Sequence, residues 1–238
     1  MDGFVLVDKG KGVSSFFVVR TLRRIFGVRR VGHGGTLDPL ATGLLIVGVG
    51  KATKSLSKFL GCDKEYKVTG YFGAVSETYD AEGPISESLP ASENKKLEAF
   101  FEDDCQKVKD VVKEKFVGEI LQTPPKFSAL KIGGKRAYDL ARKGLEVKME
   151  PRKIFVQEFK VMKIEFPKIS FRIKCGSGTY IRSLIHDLGQ VLGVGAYTEK
   201  LRRTKVGDLD VEKAFKIEDV ERLFKEGKPE VFLKAVDR

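Results

Sequence analysis

The stretch GHGGTLDPLATGLL, Gly32 to Leu45, carries the residues of this sequence best suited to chemistry. Three glycines precede a single aspartate, Asp38, and Pro39 follows it directly. Small neighbours let a backbone or ligand approach closely, and Pro39 restricts Asp38 to an extended or turn conformation. An isolated Gly/Asp/Pro cluster ordinarily makes a turn that caps the next element. Two features set this one apart. Residues 1–60 hold ten Lys/Arg against three Asp/Glu, a net of +7, and five arginines lie just upstream of Asp38. A lone carboxylate in a basic setting stays ionised, as a nucleophile requires.

Other sequences that invite a chemical reading fail on their spacing. Gly48-Val49-Gly50-Lys51 lacks the earlier glycine and the following Ser/Thr of a phosphate-binding loop, since Leu45 and Ala52 stand there. Thr53 occupies the last glycine position of a dinucleotide-binding pattern. Gly176-Ser177-Gly178 is not a nucleophile elbow, because Cys175 replaces its first glycine. Two histidines, His33 and His186, and three widely spaced cysteines, Cys62, Cys105 and Cys175, suit neither a zinc site nor a disulfide framework. We therefore expect no metal and a reducing cytoplasm.

The elements that must position Asp38 follow from periodicity and punctuation. Phe4 to Val7 reads as a short buried strand. Ser14 or Ser15 caps a helix through Phe26 that Gly27 ends, with Val18, Leu22, Ile25 and Phe26 as its apolar stripe. Leu44 to Val49 is a continuous apolar run, consistent with an internal strand. Glu65 to Phe72 is another strand, and Thr78 to Pro90 reads as loop. Ser92 to Phe116 is a charged helical stretch broken near Cys105, with Leu97, Phe100, Val108, Val111, Val112 and Phe116 facing inward. After Pro124-Pro125 comes a basic helix near Lys135 to Lys143. Ile154 to Phe166 and Ile169 to Cys175 pair around a turn at Pro167-Lys168, and helices span Ile181 to Leu192 and Ile217 to Lys225.

The whole chain has 238 residues, with 44 Lys+Arg against 33 Asp+Glu, a net of +11. That charge is clustered. Residues 61–120 carry eight Lys/Arg against fourteen Asp/Glu, net −6; residues 121–180 carry fourteen against five, net +9; residues 181–238 carry twelve against eleven, net +1. Two separated basic blocks are the electrostatic footprint of phosphate contacts. No apolar run approaches the roughly 18 residues of a membrane span, and MDGFVLVDKGKG has no signal-peptide core. With no repeat, low-complexity tract or clear linker, residues 1–238 read as one domain.

At GHGGTLDPLATGLL the chain resembles the TruB family of tRNA pseudouridine-55 synthases, in its bacterial rather than its guide-RNA-dependent branch. The resemblance continues in order through LVDKGKGVSSF (Leu6 to Phe16), KEYKV (Lys64 to Val68), QTPPKFSALKIGGKRAYDLAR (Gln122 to Arg142), CGSGTYIRSLIHDLG (Cys175 to Gly189) and GAYTEKLRR (Gly195 to Arg203). It implies an α+β fold, the pseudouridine synthase fold, with a mixed, mainly antiparallel central sheet flanked by helices. It implies isomerisation of the T-loop uridine of tRNA without a cofactor, on a T-arm stem-loop, with no membrane and no obligate protein partner. Asp38 would be the nucleophile. Attack at C6, attack at C1′ and assistance to base departure all remain open for it. Tyr66 would stack on the target base and handle the C5 proton, and Arg182 would ion-pair with the aspartate. His33, Tyr180 and Leu201 would contact RNA or line the uridine pocket, and Lys9 would be structural support. Lys131, Arg136 and Arg142 would contact RNA from a clasping insertion at about residues 121–152.

Three departures accompany the resemblance. Gly10 stands where the family usually has proline, and the segment from Ser92 to Glu119 is longer and more acidic than usual. The sequence ends near where a C-terminal PUA domain would begin, so the expectation is either a short form without that domain or a truncation before it.

Overall fold

The structure, a computed structural model, describes residues 1–88, 97–98, 101 and 105–234. The chain forms two compact units, one of residues 1–67 with the chain from Leu201 onward, the other Val68–Lys200.

The first unit is built on two apolar strands, β1 (Gly3–Lys9) and β3 (Thr42–Val49). Seven of the eight β3 residues are buried, as a continuous Leu/Ile/Val run predicts for an internal strand. β1 and β3 run antiparallel, pairing Val5 with Val47 and Val7 with Leu45. β2 (Val31–His33) flanks β3, while β12 (Ala196–Val206) lies parallel to it, setting Arg202 opposite Thr42. β14 (Leu233–Lys234) adds to β1 and β13 (Leu209–Asp210) to β12. Leu6, Leu44, Ile46, Val206 and Val211 form a core cluster. α1 (Ser15–Phe26) begins as expected: the Ser14 hydroxyl accepts from the Phe17 amide at 3.0 Å, and Gly27 closes it in the left-handed conformation at φ 62°. Val18, Leu22 and Phe26 are buried, and Phe26 stacks on Phe232 with ring centroids 5.8 Å apart. Short α2 (Ser57–Gly61) precedes β4 (Lys64–Phe72), the strand along which the chain enters the second unit.

In the second unit the strand order is β4, β11 (Lys168–Cys175), β10 (Arg152–Glu165) and β7 (Gly118–Gln122). β10 pairs antiparallel with both neighbours. α5 (Ile181–Leu192) buries Ile181, Leu184, Ile185, Leu188 and Leu192, the residues whose helical spacing predicted it. α6 (Ile217–Lys225), in the first unit, matches its expected bounds. The sheet is mixed and mainly antiparallel, with helices beside it, so the chain has the expected α+β fold.

Two local readings differ. Residues 78–90, read as loop, include a strand: β5 (Ala74–Ser76) pairs with β6 (Ile85–Glu87). Strands of three residues are too short to show alternation, and all of β6 is exposed. The basic helix begins later than expected, as α4 (Ala137–Arg142), because β8 (Lys131–Ile132) and β9 (Lys135–Arg136) first form a hairpin. Its turn residues Gly133 and Gly134 both have positive φ, as a two-residue type I′ turn demands. The break near Cys105 is present: Cys105 sits at φ 55°, directly before α3 (Gln106–Lys115). Residues 92–96, 99–100 and 102–104 of that expected stretch, Phe100 among them, lie outside the described residues.

Candidate active site

Asp38 lies in the loop between β2 and β3, half-buried, and three side chains from different elements fix the main chain around it. From β1, fully buried Lys9 donates through Nζ to the carbonyls of Gly10 (2.9 Å), Val13 (2.7 Å) and Pro39 (3.3 Å). From α1, the buried Ser15 hydroxyl accepts from the Leu37 amide (2.8 Å) and donates to the Leu37 carbonyl (2.9 Å). From β12, the Arg203 guanidinium donates to the carbonyls of Leu44 (2.8 Å), Gly35 (3.2 Å) and Thr36 (3.4 Å). The residues on both sides of Asp38 are thus held by groups that cannot move without losing buried hydrogen bonds. Gly43 makes the Arg203 approach possible: at φ 99°, a side chain there would place Cβ 2.2 Å from the Arg203 carbonyl oxygen.

The expected site residues divide between the units. The first holds Lys9, His33, Asp38, Tyr66 and Leu201. His33 ends β2, opposite Val47. Tyr66 is buried on β4. Buried Leu201 gives its carbonyl to the Thr42 hydroxyl at 3.4 Å. Neighbouring groups brace this set: Arg202 forks onto Asp8 at 2.9 and 2.8 Å, and Thr204 donates to the Glu65 carboxylate beside Tyr66 at 2.9 Å. Lys64 donates to the carbonyls of Phe59, Leu60 and Cys62, capping the end of α2 just before the strand that bears Tyr66.

The second unit holds Tyr180, Arg182, Lys131, Arg136 and Arg142. Arg182 opens α5 and is buried beside Asp80, 3.2 Å away, the two side chains 4% and 3% exposed. It also donates to the carbonyls of Thr78 (2.6 Å) and Phe127 (2.9 Å). Asp80 in turn accepts from the Thr78 hydroxyl (2.6 Å) and the Glu82 amide (3.0 Å), so both charges are hydrogen-bonded on several sides. Gln122, at the end of β7, exchanges two hydrogen bonds with the main chain of Tyr180, and the Arg152 guanidinium lies over the Tyr180 ring at 5.0 Å. Ser183 donates to the Thr123 carbonyl at 2.9 Å. The start of the basic insertion is therefore tied to the start of α5. Lys131, Arg136 and Arg142 are exposed on that insertion, Lys131 opposite Arg136 across the β8–β9 hairpin and Arg142 over the Tyr138 ring.

One turn beyond Arg182, the His186 and Tyr79 rings stack, centroids 3.8 Å apart and 9° from parallel. Burial holds the His186 imidazole below its usual range and pushes the Asp187 carboxyl up to about 6. Burial, with the neighbouring Asp187, raises the Tyr79 phenol. Ser15, Asp80, Gln122 and Arg203 were not singled out by the sequence. Ser15, Gln122 and Arg203 stood within recognised motifs without a role in the site, and nothing local distinguished Asp80.

A family model described as TruB family pseudouridylate synthase (N terminal domain) matches residues 23–181, and one for the tRNA pseudouridylate synthase B C-terminal domain matches 182–236. The chain is 42% identical over 239 residues to "tRNA pseudouridine synthase B" of Aquifex aeolicus (strain VF5), covering all of this chain and 78% of that protein. It is 42% identical over 221 residues to the protein of the same name from Endomicrobium trichonymphae, covering 93% and 92%. Among solved structures, a chain of an H/ACA RNP bound to a substrate RNA containing 2′-deoxyuridine is similar at a TM-score of 0.68 and 28% identity. A chain of a Cbf5-Nop10-Gar1 complex gives 0.68 at 31% identity. This chain covers 58% of the length of each of these two. The aspartate loop and its buried supports thus belong to a chain matched by family models over nearly all its length, and this protein is a member of the TruB family of pseudouridylate synthases.

Proposed function

We propose that the protein isomerises the T-loop uridine, position 55 of tRNA, to pseudouridine. The observation that carries this reading is the family match over residues 23–181, which includes Asp38 in a loop whose main chain is pinned on both sides. The reaction breaks the N1–C1′ bond, turns the base and joins C5 to C1′. The proton on C5 leaves and N1 gains one, so atoms and electrons balance with no redox partner. Asp38 is the nucleophile, and the pinned loop supplies its orientation without reorganisation during the reaction. Tyr66 stacks on the flipped base and handles the C5 proton. Arg182 is the cation that the family pattern pairs with the nucleophile. His33, Tyr180 and Leu201 contact the uridine and its neighbours.

A base in a folded T-loop must be turned out of its stack, which costs a few kcal/mol. Phosphate contacts from Lys131, Arg136 and Arg142 offset that cost. We read residues 1–238 as one catalytic domain with an RNA-clasping insertion at 121–152, acting on cytoplasmic tRNA. The test is tritium release from a T-arm stem-loop carrying C5-labelled uridine. Stoichiometric release, lost when the target uridine is replaced by cytidine, is expected. Tight binding without release would instead make the protein an RNA-folding factor.

A further inference from the structure

Phe16 and Phe17, consecutive at the start of α1, are 61% and 39% exposed. They flank the Asp38 loop: Ser15, the residue before them, makes both hydrogen bonds to Leu37, and Leu37 precedes Asp38. Each ring carries a guanidinium. Arg20 Cζ lies 5.6 Å from the Phe17 centroid and Arg23 Cζ 6.0 Å from that of Phe16. Arg23 also donates to the Val31 carbonyl at 2.8 Å, so the cation against Phe16 is anchored to β2. α1 contains Arg20, Arg23 and Arg24 but no acid, and exposed Arg29 and Arg30 follow it.

Two adjacent exposed phenylalanines are an apolar surface that calls for an occupant. The surrounding charge selects one. An apolar protein partner would have to desolvate several arginines, whereas a nucleotide brings a flat base for the ring and a phosphate for the guanidinium. We propose that Phe16 and Phe17 form a stacking platform for unpaired nucleotides next to the uridine presented to Asp38. The arginines of α1 and Arg29-Arg30 would take the accompanying phosphates. The inference rests on the proposed function and adds a second aromatic contact to Tyr66, on a different element.

The chain contains no tryptophan, so Phe16→Trp introduces a single fluorophore at the platform. The probes are the C5-tritiated T-arm stem-loop and a blunt duplex of the same stem without its loop. The Phe16→Trp protein is expected to release tritium and to lose fluorescence on saturation with the stem-loop but not with the duplex. Phe16→Ala and Phe17→Ala are each expected to raise KM for the stem-loop about tenfold while the single-turnover rate at saturation stays within about twofold. Phe17→Tyr should restore the wild-type KM. Unchanged KM in both alanine variants, with emission unaffected by an RNA that the protein turns over, would overturn the proposal. Equal quenching by the blunt duplex would also overturn it, because charge alone would then account for the contact. Absence of tritium release from wild type would defeat the functional reading separately, leaving the quenching comparison to decide the platform.

Discussion

A lysine with no exposed surface needs compensation for its buried charge, and Lys9 finds it in three carbonyls, the last that of Pro39 beside Asp38. Lys9→Met keeps the volume but removes the donor that those three carbonyls share. It should lower stability by about 3 kcal/mol in urea unfolding and slow single-turnover release, because the loop relaxes as well as the core. Arg182 and Asp80 form a comparable buried unit. Asp80→Asn keeps the shape but removes the countercharge, so we expect a loss of about 3 kcal/mol by the same measurement. Turnover should fall further than binding, since Arg182 would no longer be held in one orientation. Legibility at this scale was uneven. Lys9, Asp38 and Arg182 stood in recognisable motifs, but Asp80 is joined to Arg182 only by folding across about a hundred residues. Arg203 is similarly remote from the carbonyls of Gly35, Thr36 and Leu44, and no local pattern reports such a pairing.

Helices whose burial follows periodicity were legible at the level of elements. α1, α5 and α6 begin and end where apolar spacing and capping residues place them. The β5–β6 and β8–β9 hairpins were not, because strands of two or three residues carry no readable alternation. α5 also has a pH signature. The Asp187 carboxyl is raised from 3.8 to about 6 by burial, so between those values the folded chain keeps a proton that the unfolded chain has lost. Stability should therefore fall as pH rises from about 4 to about 6. His186 is shifted down by burial, so its contribution has the opposite sign: stability falls as pH drops below the ordinary histidine range. Thermal unfolding across this range should show the falling limb in wild type and its loss in Asp187→Asn. A limb that survives in the variant would assign it to another group.

For the molecule as a whole, net charge conceals the pattern that matters. The +11 total contains a basic block at residues 1–60, which holds Asp38 and α1, and another at 121–180, which holds the insertion. If both blocks take up RNA phosphate, single charge removals on the insertion should act alike on every RNA sequence. Lys131→Ala and Arg136→Ala should each weaken stem-loop binding and reduce the slope of log K against log salt by about one. An unchanged slope would separate the insertion from the RNA. The central claim, that Asp38 carries the chemistry, is tested most directly by single-turnover tritium release from the C5-labelled T-arm stem-loop, with wild type and Asp38→Asn side by side. Wild type should release tritium fully and Asp38→Asn not at all, with Kd values for the RNA within a few-fold of each other. Release by Asp38→Asn at the wild-type rate would contradict that claim.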